Sequence, residues 1–427
     1  MALLLLALLL AAGSREPVSS LRSYGPGDVS VTALAPAGDE DLLTGLVRDG
    51  DGPSEAFAGR ARRDGSLVWQ KKFQPLTPFD ETGLSLLPLP GGDEIVLTSS
   101  EQRTAPGERY LLRFSRLARD GSPAWHRALR PAVPMSEVFL AAAEEGAFVL
   151  LATAQDGLLV AKITGAGGLA WAQTISLRGA VLRASGLVAS GDGWLVGGGL
   201  EGRPQGVLAA LDRSGKVRRQ KLYDNALATM AAVPGGGVVM AGRVKIAKPG
   251  WSDFDLQITR VDAAGRILWD RTIGTQRAEQ WPIGIAATRS GILVLGGWSE
   301  PRPSFRDGWL LQLTPRGEIV WEARLDSGAS DDFSLLAHDD ARTVLDGSSG
   351  RIGKPVKSFQ LWIPHGSRPV LPEPGPLSAL PTSSTTRSSS SAPAAVQLSV
   401  TSAKVTLEPV QLELVPGNLS LVPEPRQ

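Results

Sequence analysis

Seven polar side chains recur through this 427-residue chain at intervals of roughly fifty, each just ahead of a short apolar run: Asp28, Glu81, Glu137, Arg183, Asn225, Gln280 and Asp332. A circle of such groups, carboxylates in the main, would focus negative potential and could hold a cation, a basic group or a sugar. The plainer reading is that short polar side chains at strand starts satisfy backbone groups of the preceding loop. The first reading makes a specific demand of the fold, since points far apart in sequence must be brought round one axis.

No stronger constellation competes with these residues. The histidines are His126, His338 and His365; none is paired at metal-ligand spacing, and each reads as structural or surface. The nucleophile spelling G-x-S-x-G is absent, and its nearest string, Gly347 to Gly350, is a residue short and reads as a hairpin loop. No G-x-x-x-x-G-K-[ST] loop is present, so Gly197 to Gly199 and Gly235 to Gly237 are taken as strand or turn glycines. Asp49, Asp51 and Glu55 lack the third early ligand and the spacing of a calcium loop, which leaves a tight turn. The expectation is of no catalytic residue, no metal and no cofactor.

The elements that would position the seven residues come from a repeat. RDGSLVW (Gly65, Trp69), RDGSPAW (Gly121, Trp125), GAGGLAW (Gly167, Trp171), RSGKVRR (Gly215, with Arg219 in the Trp place), AAGRILW (Gly265, Trp269) and PRGEIVW (Gly317, Trp321) share one pattern. Their anchors lie 56, 46, 48, 50 and 52 residues apart. Each period reads as four short strands. Around Trp269 these are Met230 to Val233, the strand VVMAG after a GGG turn, FDLQIT with its alternation of Phe254, Leu256 and Ile258 against polar neighbours, and RILWDRTI. Glycine closes each turn because it tolerates positive φ. Trp69, Trp125, Trp171, Trp269 and Trp321 then fall on the outermost strand of a small sheet, where an indole can wedge between neighbouring sheets.

Counting innermost and second strands, from TALAPAGDEDLLTG to LLAHDDARTVLDG, gives seven units. The seventh lacks a good outer strand, and Ser19 to Gly27 supplies one. The expected fold is all-β: a seven-bladed β-propeller of four-stranded blades, its ring closed by the N-terminal strand, with a disordered C-terminal tail.

The strings LAALDRSGKV, LQITRVDAAGRILW and LLQLTPRGEIVW resemble the repeats of the PQQ-type β-propeller superfamily, in which an alternating strand ending near Asp leads through Gly to Trp. The resemblance covers residues 19 to 370, and extends to secreted bacterial propellers of similar repeat. It implies a propeller fold. For activity it implies either a scaffold, as in the outer-membrane assembly protein BamB, or a quinone-dependent dehydrogenase, whose adjacent cysteine pair this chain lacks.

The net charge of +1 gives no basic field for nucleic acid or an anionic membrane, and the absence of cysteine excludes disulfides and thiolate metal sites. Residues 1–14, MALLLLALLLAAGS, are too short to span a bilayer and fit a secretory signal. A secreted, periplasmic or cell-surface monomer follows, with no membrane span in the mature chain. Residues 19–370 form the propeller, 371–395 a Pro/Ser/Thr-rich linker and 396–427 a tail that either stays disordered or adds strands to a partner or to the propeller edge. Its expected role is non-catalytic binding of protein or glycan through loop faces, where Trp251, Trp281, Trp298 and Trp309 could anchor a partner. A quinone-dependent dehydrogenase, or a polysaccharide lyase or hydrolase, is the alternative.

Overall fold

A computed structural model of the chain describes residues 20–364, apart from 25–27, 49–51, 63–65, 74–79, 102–109, 130–134, 192, 249–250, 276–277, 301–305, 327–329, 339–341 and 351–356; beyond 364 it describes only short strands between Ser378 and Pro423. The signal segment, Asp49, Asp51, Gly65 and His365 lie outside the described residues.

The described chain forms seven antiparallel sheets in sequence order around a ring. Blade 1 is built from Asp28–Ala37, Glu40–Arg48, Glu55–Arg62 and Leu67–Phe73, innermost strand first. Blades 2 to 6 repeat the pattern, starting at Asp80, Ser136, Leu182, Ala226 and Glu279. Blade 7 takes Ser330–His338, Arg342–Gly350 and Lys357–Pro364 from the end of the repeat region, and its fourth strand is Ser20–Tyr24. Leu21 is registered with Leu361, so the N-terminal strand closes the ring as the sequence requires. Each innermost strand contacts the next, and the seventh contacts the first.

The buried core is divided among the seams between blades. One cluster joins blades 3 and 4 through Val149, Leu151, Trp194 and Val196, and another joins blades 5 and 6 through Leu256, Ile258, Val294 and Trp309. A further cluster lies where blade 7 meets blade 1, around Val31, Leu43, Phe57 and Val344. Because a blade has neighbours on both faces, the alternation in FDLQIT does not separate inside from outside. Leu256 and Ile258 face blade 6, and the intervening polar residues are buried as well, with Gln257 donating to Asp270 Oδ2 at 3.0 Å and Thr259 to Asp270 Oδ1 at 3.1 Å. Burial without such partners would cost several kcal/mol.

Two bulges recur at fixed places. All seven innermost strands slip register against the second strand, at Val31/Ala33 in blade 1 and Pro282/Gly284 in blade 6, for example. Six outer hairpins slip beside the Trp position: Arg60 opposes Trp69 while Ala61 opposes Leu67. The skipped residue is thrown outward, which is why Val68, Leu268 and Val320 are exposed apolar side chains.

The Trp side chains do join blade to blade, and the glycines complete the joint. A Cβ on Gly121 would stand 2.8 Å from the Trp69 ring of the preceding blade; on Gly167, Gly215 and Gly317 it would stand 3.1, 3.0 and 3.0 Å from Trp125, Trp171 and Trp269. Each indole Nε1 also donates to the carbonyl two residues before that glycine: Trp69 to Arg119 at 2.9 Å, Trp125 to Gly165 at 2.9 Å, Trp171 to Arg213 at 3.2 Å and Trp269 to Pro315 at 3.1 Å. In blade 4, Arg219 reaches Ala263 O at 2.7 Å, and Tyr223 and Lys221 hold Gly265 O at 2.8 and 3.0 Å. The turn that would receive Trp321 follows Pro364 and lies outside the described residues.

The Trp-bearing strand is not the outermost one. Beyond the repeat region, seven short strands between Ser378 and Pro423 each add a fifth strand to one blade. Three of these strands, Ser378–Leu380, Thr385–Ser388 and Ala394–Ala395, fall inside the stretch expected as a linker.

Candidate functional site

The innermost strands begin on one face of the disc, the face on which second strands end and fourth strands finish. The seven residues singled out in the sequence all fall at this edge, but they do not share one environment. Glu81, Asn225 and Gln280 are sealed inside seams, at 0, 1 and 0% exposure. Glu81 is ion-paired with the buried Arg113. Burial pushes its carboxyl up to about 7, against the opposing pull of that guanidinium. Asn225 Nδ2 donates to Thr259 Oγ1 at 2.8 Å, and Gln280 Nε2 to Thr275 Oγ1 at 3.0 Å. These three side chains are buried, and the contacts given for them are to other side chains of the protein.

Glu137, Arg183 and Asp332 are the exposed members. Glu137 has φ of 43°, one of two non-glycine residues with positive φ among those described, and sits in the bulge of its innermost strand. That conformation aims its carboxylate across the seam between blades 3 and 4, where Oε1 accepts from Arg183 Nη1 at 3.1 Å. Arg183 Nε lies 3.3 Å from Glu201 as well. Asp28 belongs to the first innermost strand by its backbone.

A second charged group, which sequence reasoning missed except for Asp332 beside it, stands at the seam between blades 6 and 7. Carboxylate oxygens of Asp307, Asp326 and Asp331 lie within 4.8 Å of one another. Three strands contribute them: Arg306–Leu313, Ile319–Asp326 and Ser330–His338. Arg324 is set among these acids, its Nε donating to Asp307 Oδ2 at 2.7 Å, Nη1 to Glu300 Oε1 at 3.0 Å and Nη2 to Asp326 Oδ2 at 3.2 Å. The guanidinium thus offsets the charge of Asp307, Asp326 and Glu300. Burial still pushes Asp307 up to about 6, with Arg324 opposing. Nothing in the spacing of these acids along the chain would have flagged them, because three strands from two blades bring them together.

The candidate aromatic anchors divide in the same way. Trp298 and Trp309 are core, at 6 and 0% exposure, stacked edge to face. Trp281 is half-buried beside Gln280, its ring against Gly297. The side chain of Trp251 lies outside the described residues. Of the histidines, His126 is buried against Ser115.

Seams 3–4 and 6–7 are three blades apart, as far as a ring of seven allows. The exposed charges therefore form two separate patches on opposite sides of the mouth. One is a mixed ion-pair chain of Glu137, Arg183 and Glu201, and the other is the Arg324 cluster, with exposed Asp332 next in sequence to its Asp331.

No protein-family model matches the chain, and no curated protein matches it. Solved structures do. The polysaccharide lyase Uly1 is similar at 10% identity over 78% of this chain and 89% of that one, with a TM-score of 0.48. The arabinanase Arb43A of Bacillus subtilis is similar at 10% identity over 68% of this chain and 97% of that one, with a TM-score of 0.33. A protein of unknown function from Dyadobacter fermentans is similar at 13% identity over 80% and 95%, with a TM-score of 0.38. At such values nothing about activity carries across, and the propeller rests on its own seven sheets. Among the described residues no helix is long and apolar enough to cross a membrane.

Proposed function

We propose that the chain is a secreted or periplasmic binding propeller, a distant relative of the PQQ-type repeat proteins, that holds a protein or glycan partner across the mouth of the disc without transforming it. What supports the reading is the allocation of its ionisable groups. Of the groups to which burial gives unusual proton affinities, Glu81, Glu94 and His126 are spent on contacts that join strands and blades, and Asp307 is held by Arg324. The exposed ones at the strand-start edge, the ion-paired Glu137, Arg183 and Glu201 at one seam and Asp332 at another, suit recognition of a polar surface.

The test is capture from an envelope fraction by the immobilised full chain, against a Glu137→Ala/Arg183→Ala variant and an Asp332→Ala variant. Loss of a captured partner in either variant, with thermal stability unchanged, is the expected result. Dye reduction with added quinone, or depolymerisation of any polysaccharide in a panel, would replace this reading by one of the enzymatic alternatives.

A further inference from the structure

The seven short strands between Ser378 and Pro423 pair with the blades in a regular succession. Ser378–Leu380 pairs with the outer strand of blade 6 and Thr385–Ser388 with that of blade 5. Ala394–Ala395 pairs with blade 4 and Ser399–Ser402 with blade 3. Leu407–Pro409 and Leu414–Pro416 follow on blades 2 and 1. The last, Leu421–Pro423, reaches blade 7, where Val422 is registered with Ser23 of the ring-closing strand. Every blade receives one strand, none receives two, and every pairing is antiparallel.

We propose that the rim is a single continuous strand-docking surface whose ligand is this chain's own segment 378–423, wound once around the disc as a belt that ends on the strand closing the ring. Four features carry this. The number of strands equals the number of blades, and their order is the reverse of the blade order without exception. Only three to five residues separate successive strands. At roughly 3.3–3.6 Å per residue such links reach only a short way along the rim. An outer blade edge is a row of unpaired N–H and C=O groups, the surface an extended peptide recognises through its backbone, so the variable sequences of the strands are no obstacle. The last three strands each end in proline, at Pro409, Pro416 and Pro423. Proline is tolerated on an edge strand and stops further pairing beyond it. The belt therefore occupies the edges and offers few donors to a second copy.

The inference concerns the rim and is independent of what binds at the mouth. Hydrogen exchange on the intact chain is the primary test. Amides within 385–388, 399–402 and 421–423 are expected to exchange at least about tenfold more slowly than in a synthetic peptide of residues 378–423, and equal rates would overturn the proposal. A second arm uses a protease site inserted between residues 371 and 377 of the full chain. After cleavage the segment should co-elute with the disc, and prompt separation would likewise overturn the proposal. A Val400→Pro/Thr401→Pro variant, which leaves the disc untouched, should abolish protection at 399–402; unchanged protection there would show that it comes from something other than strand pairing.

Discussion

The ring of Trp69 lies 2.8 Å from the point that a Cβ on Gly121 would occupy, and its Nε1 bonds the carbonyl of Arg119 two residues before that glycine. The glycine and tryptophan of one repeat thus serve different neighbours, since Gly121 receives the indole of blade 1 while Trp125, four residues on, reaches Gly165 and Gly167 of blade 3. The motif is half of a clasp, and its other half is supplied by the adjacent copy.

Gly121 therefore answers to two constraints, a φ of +77° and the indole above it. Gly38 answers only to the first, with φ of +69° and nothing within 4 Å of its notional Cβ. Gly38→Ala should cost about 1 kcal/mol from the left-handed conformation alone, and Gly121→Ala about 2–3 kcal/mol once the ring must move. Urea unfolding of the two variants measures the difference; equal midpoints would show that the indole does not press on the turn.

The hydrogen bond in the clasp can be separated from its apolar contact. Trp125→Phe keeps most of the ring area but loses the bond to Gly165 O, at a cost of about 1 kcal/mol, while Trp125→Ala loses both, at about 3 kcal/mol. Thermal unfolding would show the graded series. A Phe variant as damaged as the Ala variant would mean that the bond, not the area, holds the blades together.

How much of this was legible in the sequence follows from which signals are local. Gly-x-x-x-Trp, the alternation in FDLQIT and the turn glycines are short-range, so blade number, strand order and the closing role of Ser20–Tyr24 could be read directly. The proposed ring of polar residues was read at the right edge of the disc but with one environment assumed for all. Whether such a residue points into a seam, as Glu81 and Gln280 do, or out of it, as Glu137 does, depends on a bulge that leaves no local mark. The acids around Arg324 come from three strands of two blades, and the tail's partners are up to roughly 400 residues distant. Neither kind of pairing has a period along the chain.

Seams differ in what fills them, and the one between blades 1 and 2 is partly ionic. Arg60 bonds Glu94 at 2.9 Å and Glu40 at 3.0 Å, with the Arg60 and Glu94 side chains 3 and 0% exposed. Arg60→Met should cost about 3–5 kcal/mol, because it leaves Glu94 buried without its partner. The double variant Arg60→Met/Glu94→Leu should recover most of that loss. Chemical denaturation of the three proteins gives the coupling, and additive losses would mean that the two side chains do not depend on each other.

His126 gives the chain a calculable response to acid. It is 7% exposed, with Nδ1 2.8 Å from Ser115 Oγ, and burial, aided by the positive charges of Arg113 and Arg127, lowers it to about 4 from an ordinary 6.5. Between those values the unfolded chain binds a proton that the folded chain refuses, so stability falls as pH drops from 6.5 towards 4, by roughly 3 kcal/mol at the lower end. Glu81, paired with Arg113 in the same seam, works in the opposite sense: burial raises it from 4.5 to about 7, so the folded state gains relative stability on acidification through that range. The difference between wild type and His126→Gln isolates the histidine, since glutamine can still bond Ser115 but does not titrate. The variant's denaturation midpoint should fall less steeply than that of wild type between pH 6.5 and 4. Parallel curves would mean that the imidazole finds a way to water, and that the seam between blades 1 and 2 opens on the folded protein's own timescale.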